Sequence, residues 1–405
     1  MKQKPGFTGW LYIVPTIALI AVFSLWPVVQ SMTYTLFDYK LNDPQKSGLY
    51  LNERFNTNLF NETALYVSLF LEEDLANIDE PNDQKAVEDA ITNIDELAAV
   101  YEDKTDVIKI SSEERDRIEG LHEQTADLVA NLNNTYALTH GENLPLLVDD
   151  FKNSIIPSNF TGLSAYKDAL GDARIQTALW NTIIFTTVSV GIEFVLGLGL
   201  ALILNKAIFG QGFVRTTSLI PWAIPTAVAA MMWSYLYDGS SGIVAHFFEN
   251  IGFVAQSQDL LLSGTGAMVS TILADVWKTT PYMALLLLAG LQNIPKTLYE
   301  AASIDGAGKI KSFFRVTLPL LKTSILVALL FRTLDAFRVF DLIYVLTGGG
   351  PGGATETMSI YAYKLMFGQT NFGYGSVVVM LMFGCVAIIA IIFVRLLGTN
   401  LLDRN

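Results

Sequence analysis

The chain has 405 residues, 51% of them hydrophobic and only 16% charged, with a mean hydropathy of +0.39 and a net charge of −13. That balance fits a multi-spanning membrane protein better than a soluble domain, and the acidic total argues against nucleic acid as a partner. The charge is unevenly placed: residues 38–172 hold 28 of the 39 acidic residues against ten Lys and Arg, about −18, which leaves the rest of the chain at about +5.

Six stretches reach the roughly 20 mostly apolar residues that a bilayer-spanning helix needs. They are 10–34, 177–204, 213–237, 266–291, 318–347 and 375–397. The first follows MKQK, but it carries Pro15 and Pro27, runs too long for a signal peptide and precedes no small-x-small cleavage site. The expected class is therefore an all-α polytopic membrane protein of six spans. Residues 1–37 form the N-terminus and first helix, 38–172 an acidic insert, and 173–405 a five-helix core.

Lysine and arginine in the short loops set the orientation. Lys2 and Lys4 precede the first span, Lys206 and Arg215 flank the turn after the second, and Lys296, Lys309, Lys311, Arg315 and Lys322 surround residues 296–319. Arg395 and Arg404 close the chain, whereas 238–265 has no Lys or Arg and 348–374 only Lys364. Both termini and the 296–319 loop are thus expected in the cytoplasm, and the acidic insert outside.

Within the insert, Val87, Ile91, Ile94, Leu97 and Tyr101 recur at helical spacing after Pro81, and Ser111-x-x-Glu114 reads as a capping box before Ile118, Leu121, Thr125, Leu128 and Leu132. A third, weaker helix is expected over 61–78. Three such helices can bury one another's stripes. The acidity fits a solvated surface or a docking face for a basic partner.

In the core, Gly191, Gly197 and Gly199 are placed as helix-contact sites. Asp275 and Lys278 stand three residues apart, as do Arg332, Asp335, Arg338 and Asp341, so each set can pair along one helix. Charge inside a bilayer is expensive and turns toward a bundle interior or a water-filled path. These groups line a solute pathway or act as an ion-paired ladder holding helices in register. Tyr282, Tyr344 and Asn181 are further candidates for solute contact.

Other chemistry is poorly supported. Gly348, Gly350 and Gly353 match G-x-G-x-x-G, but after a membrane helix and with Pro351 inside, so a dinucleotide fold fails on context. There is no G-x-x-x-x-G-K-[ST] to hold ATP phosphates and no catalytic set, which points to a transport subunit rather than an enzyme. His122, His140, His246 and the single Cys385 are scattered, and no metal site is expected.

Between the fourth and fifth spans, EAASIDGAGKIKSFFRVTLP reads as a short helix, a turn at Asp305-Gly306 and a resumed helix, with Pro319 opening the next span. Its apolar residues are too many for a free loop and suit a groove on a soluble partner. Glu300-Ala301-Ala302, Gly306, then Val316-x-Leu318-Pro319 resembles the signature loop of permease subunits in binding-protein-dependent ABC importers, with Val in place of Ile. LIPWAIPTAVAAMMW, VWKTTPYMALLLLAGLQNIP and FRTLDAFRVFDLIYVLTGGGPG look like the carbohydrate-importer branch, the maltose- and trehalose-type permeases. The likeness covers residues 1–37 and about 157–405.

The resemblance implies a permease in a bacterial or archaeal cytoplasmic membrane, paired with a second homologous permease and two ATP-binding subunits that carry ATP and Mg. It implies no cofactor in this chain. An extracytoplasmic solute-binding protein delivers a carbohydrate, for which an α-linked oligosaccharide such as maltodextrin or trehalose is the first expectation. Glu300, Ala301, Ala302, Asp305, Gly306, Leu318 and Pro319 would form the ATPase-coupling loop. The insert matches only the position of the maltose-type external domain. A glycerol-phosphate-type permease is the alternative within the family. An ion-coupled secondary transporter lacks an internal repeat here, and a membrane sensor lacks a cytoplasmic output domain.

Overall fold

A computed structural model of the protein describes residues 7–206 and 210–402; Lys2, Lys4 and Arg404, which entered the orientation argument, lie outside them. The chain divides into two compact units, one of Met1–Met32, Ser164–Gln369 and Tyr374–Asn405, the other of Thr33–Leu163 and Thr370–Gly373.

The larger unit is helical. Among the described residues, five helices are long and apolar enough to cross a membrane: Ile13–Tyr34, Ala173–Leu204, Gly264–Gln292, Lys309–Phe337 and Phe372–Gly398. The expected third span is broken instead into Gln211–Ser218, Ile220–Ala223 and Thr226–Leu236. Pro221 and Pro225 explain this. Each lacks an amide hydrogen, and Pro225 forces Ile224 out of the helical region to φ −69°, ψ 132°.

Two other prolines are accommodated without a break. Pro27 follows a wide helical turn at Ala21–Leu25, where the Trp26 amide reaches back five residues to the Ala21 carbonyl. Pro319 follows the same kind of turn at Phe313–Thr317, where the Leu318 amide donates to the Phe313 carbonyl. A proline ring collides with the carbonyl four residues earlier, and widening the turn moves that carbonyl aside. Pro319 therefore sits inside a helix that runs on from Lys309, rather than at the start of a new one. The far end also differs from expectation. The helix stops at Phe337, and Asp341–Leu346 forms a separate short helix.

Gly264–Gln292 is the central helix: 61% of its most apolar stretch is buried, against 33% or less for the other four. It packs on Ala173–Leu204 and on Leu318–Phe337. Asp172 caps the first of these by accepting from the amides of Arg174 (2.8 Å) and Ile175 (3.4 Å), and Ser263 caps Gly264–Gln292 by accepting from Gly266 (3.1 Å). Close approach depends on Gly197, where a Cβ would fall 2.7 Å from Met283 Cγ and 3.3 Å from the Ala284 amide nitrogen. A Cβ at Gly290 would likewise collide with Ser324. Gly191 and Gly199, expected to act in the same way, have open space around them.

The smaller unit holds four helices, Thr57–Asp74, Pro81–Ala99, Ser112–Thr135 and Leu144–Asn153, with a three-stranded sheet. Its strands are β1 (Arg54–Asn56), β2 (Val107–Lys109) and β3 (Ile155–Ile156), ordered β2-β1-β3 and antiparallel, with Arg54 opposite both Lys109 and Ile156. Val87, Ile91, Ile94 and Leu97 meet Ile118, Leu121 and Leu132 in one core with Phe55, Phe60 and Phe151. The Ser111–Glu114 capping box forms: the Glu114 amide donates to Ser111 Oγ at 3.2 Å, and the Ser111 amide to Glu114 Oε2 at 3.0 Å. Asp74 is buried and accepts from the amides of Thr139 (2.6 Å) and His140 (3.1 Å), which fixes the connection into the fourth helix.

Gly197→Val should lower thermal stability in detergent by several degrees, since overpacking costs roughly 1–3 kcal/mol, while Gly199→Val should leave it unchanged. Equal effects at the two positions would contradict this packing.

Candidate functional site

Three central helices each contribute one charged group to a single buried cluster. Arg332, 1% exposed, donates through Nε to Glu193 Oε2 at 2.5 Å and through Nη2 to Glu193 Oε1 at 3.0 Å, a two-pronged contact. Its Nη2 also meets Asp275 Oδ2. The Thr279 hydroxyl lies 2.7 Å from Glu193 Oε1, adding a second tie between the Glu193 and Asp275 helices. Nη1 points the other way, 3.2 Å from the exposed Asp335.

Arg332, Asp335 and Arg338 pair along their helix, at 3.2 and 4.0 Å, whereas Asp275 and Lys278 do not pair with each other. Asp275 takes Arg332 as its partner, and Lys278 donates instead to the Trp222 carbonyl at 3.3 Å. The second ladder is interrupted because Arg338 already caps its helix. Arg338 reaches Asp335 at 4.0 Å, and Asp341 opens the next short helix. Asp275, Lys278, Arg332, Asp335, Arg338 and Asp341 nevertheless line one cavity of about 300 Å³. Burial of the cluster and opening of the cavity are two faces of the same feature.

Aromatic rings flank this region. Trp222, which lines the cavity, stacks on Tyr282 with centroids 5.4 Å apart and planes 12° apart. Phe340, also in the lining, stacks on Tyr344 at 5.2 Å, and Tyr344 meets Tyr363 edge-on at 5.0 Å. Tyr344 is exposed. Aromatic rings beside hydrogen-bonding side chains can hold a polyhydroxylated solute, which presents apolar C–H faces and hydroxyl edges.

Asn181 has a different placement. Its Nδ2 donates to the carbonyls of Gly353 (2.9 Å) and Glu356 (3.1 Å), pinning the glycine-rich loop. The buried Glu356 carboxylate receives Arg174 Nε at 2.7 Å and Lys364 Nζ at 2.8 Å. Burial raises its pKa, but these hydrogen bonds and charges outweigh it and hold the carboxyl below the usual range. Asn181 is thus a fastening for a loop, not a group facing the cavity.

Residues 296–319 form a projecting knob. Lys296–Ile304 is helical, with Glu300, Ala301 and Asp305 exposed and Ala302 half-buried. The helix ends in a Schellman arrangement: the Ala307 amide donates to the Ala302 carbonyl at 2.8 Å and the Gly306 amide to the Ser303 carbonyl at 3.1 Å. Gly306 has φ +74°, which a side chain resists. Ile304 is 87% exposed, Ile310 77% and Phe314 60%. Leu318 is half-buried and Pro319 exposed where the knob joins the Arg332 helix. An isolated loop gains nothing from three such apolar residues in water.

The family model for the binding-protein-dependent transport system inner membrane component matches residues 193–404. The chain belongs to this family. The match begins at Glu193 and includes Asp275, Arg332 and the whole knob. Among curated relatives, the chain is 44% identical over 236 residues to the trehalose/maltose transport system permease protein MalF of Thermococcus litoralis, covering 58% of this chain and 79% of that one. It is 46% identical over 241 residues to the trehalose transport system permease protein SugA of Mycobacterium tuberculosis, covering 59% and 75%. The fold is similar to that of a bacterial ABC transporter involved in the import of the acidic polysaccharide alginate, with a TM-score of 0.53 and 21% identity over 59% of this chain and 84% of that one. The resemblance to carbohydrate-importer permeases noted in the sequence is thereby supported by named relatives.

For a permease of this family, the residue that sequence reasoning passed over is Glu193. It stands alone in GIEFVLG, with no cation within helical reach, and only the third dimension supplies Arg332. An acidic residue in an otherwise apolar run was the available signal.

Arg332→Met should leave Glu193 and Asp275 buried without a cation and cost about 3–5 kcal/mol, read as loss of folded protein in detergent. Adding Glu193→Gln and Asp275→Asn to that variant should restore much of the yield. No recovery in the triple variant would mean that the cluster is not the stabilising unit.

Proposed function

We propose that this chain is the permease subunit of an ATP-driven importer that moves a carbohydrate, an α-linked oligosaccharide such as trehalose or maltodextrin, into the cytoplasm by alternating access. The observation that carries the reading is the knob, a preformed helical projection whose exposed Ile304, Ile310 and Phe314 suit a groove on a soluble partner. That partner is one of two ATP-binding subunits, which hold ATP and Mg. Glu300, Ala301, Ala302, Asp305 and Gly306 form the contact that carries nucleotide-driven closure, and Leu318 and Pro319 hand it to the Arg332 helix.

The carbohydrate reading draws on the relatives' names and on the rings beside the cavity, Trp222, Tyr282, Phe340 and Tyr344, with Asp335, Arg338 and Asp341 as hydrogen-bonding groups. Asp335 and Asp341 on the same wall weigh against a phosphate-bearing solute. A second, homologous permease completes the pathway. The knob and both termini lie in the cytoplasm, in a bacterial or archaeal inner membrane, as the loop charges suggest.

Residues 38–172 form an extracytoplasmic domain that receives the solute-binding protein. Position and an independent core support this role. Tyr50 and Asn159 lie side by side at its neck, with the Tyr50 amide donating to Asn159 Oδ1 at 2.9 Å and the Asn159 amide to the Tyr50 carbonyl at 3.2 Å. Joining the chain there and excising 51–158 should spare membrane insertion yet weaken stimulation by the binding protein at least tenfold. Undiminished stimulation would exclude a docking role.

The decisive assay is ATPase activity of the complex co-purified through this chain, reconstituted with its binding protein and challenged with a solute panel. α-Linked glucosides should stimulate it and phosphorylated solutes should not. Gly306→Val, which strains a left-handed turn by roughly 1–2 kcal/mol, should uncouple hydrolysis from uptake, and Gly306→Asn should retain coupling. Normal uptake in Gly306→Val would count against the knob as the coupling element.

A further inference from the structure

Behind the knob, apart from its Ile304 tip, lies a groove of about 740 Å³. Its floor is apolar: Leu202, Leu291, Phe313 and Phe314. Its rim carries Lys206 and Lys309, and among the described residues neither ammonium has a carboxylate within 4.0 Å. Leu202 and Leu291 belong to the last turns of two membrane-spanning helices, Ala173–Leu204 and Gly264–Gln292. The groove therefore opens at the depth where hydrocarbon gives way to headgroups. An ammonium on a long stem at that depth reaches for phosphate. The combination of a mainly apolar groove with two lysines in its lining fits a molecule that is itself apolar along its length and anionic at one end.

We infer that this groove binds one anionic phospholipid, its phosphate between Lys206 and Lys309 and an acyl chain along Leu202, Leu291 and Phe313. The inference rests on the cytoplasmic orientation proposed above and is independent of the solute. The lipid belongs to the inner leaflet. Because Lys309 and Phe313 are part of the knob while Lys206 and Leu202 end a membrane span, an occupant braces one against the other. Ile304 does not line the groove, whereas Ile310 and Phe314, which the proposed ATPase contact also uses, stand at its edge, so a docked partner and the lipid meet there.

The test uses the full chain in nanodiscs of mixed phosphatidylglycerol and phosphatidylcholine, with spin-labelled lipids to read relative association. A lysine near a headgroup contributes about a fivefold preference, so wild type should favour phosphatidylglycerol by roughly 25-fold. Lys206→Gln with Lys309→Gln should bring the ratio close to one. Lys322→Gln, an exposed cation outside the groove, should leave it unchanged. An unaltered ratio in the double variant, or an equal loss in Lys322→Gln, would overturn the site. Displacement of the lipid by millimolar inorganic phosphate would overturn the lipid and assign the cations to a free anion. Orientation is read separately, by labelling Ser312→Cys in a Cys385→Ala background from each side of sealed vesicles. Labelling from outside alone would remove the inner leaflet as the source.

Discussion

One guanidinium holds the centre of this permease together. Arg332 grips both oxygens of Glu193 and one of Asp275, so three helices share a single charged knot at full burial. Such a knot contributes little net stability compared with a well-packed apolar core, because each charge gives up its water. What it fixes is register. Sliding any one helix by a turn would separate a buried charge from its partner, which an apolar contact would tolerate and this one does not. The third carboxylate, Asp335, takes the outer edge of the same guanidinium and faces the cavity. The knot therefore also sets where polar groups emerge beside the aromatic rings.

Prolines shape the rest of the membrane body in two ways. At Pro27 and Pro319 one wide turn comes before the proline and the helix continues, while Pro281 sits inside Gly264–Gln292 with no such turn. Where two stand four residues apart, at Pro221 and Pro225, the helix breaks. The break has a chemical result. In an unbroken helix the Trp222 carbonyl would accept from residue 226, but here it is left to Lys278, which donates to it at 3.3 Å. A cation in the membrane body is thus held by backbone oxygen rather than by the Asp275 three residues before it.

Much of this was legible in the residues, for reasons of range. Long apolar runs declare their spans because hydropathy is a local sum, and the Ser111 capping box and the Val87–Leu97 stripe declare themselves within a turn or two. The helix and turn over residues 296–319 were readable from the residues, and the structure adds that Gly306 closes a Schellman turn. Three features escaped because their causes lie far apart in the chain. Glu193 and Arg332 are 139 residues apart. The strands of the small sheet are two or three residues long and gain their hydrogen bonds from positions such as Arg54, Lys109 and Ile156. Asn181 looked like a polar group on a pathway and proved to hold Gly353 and Glu356. The broken third span is a different case, since both prolines were in plain view and hydropathy outvoted them.

The Schellman closure at Gly306 has a thermodynamic consequence. All of its hydrogen bonds lie within the knob itself, between residues 301 and 307. A protein that takes the knob meets a shape already made, so little chain entropy is surrendered on contact. Encounter is then limited by diffusion and angle rather than by refolding of a loop, and repeated release and recapture cost the complex little of its binding energy.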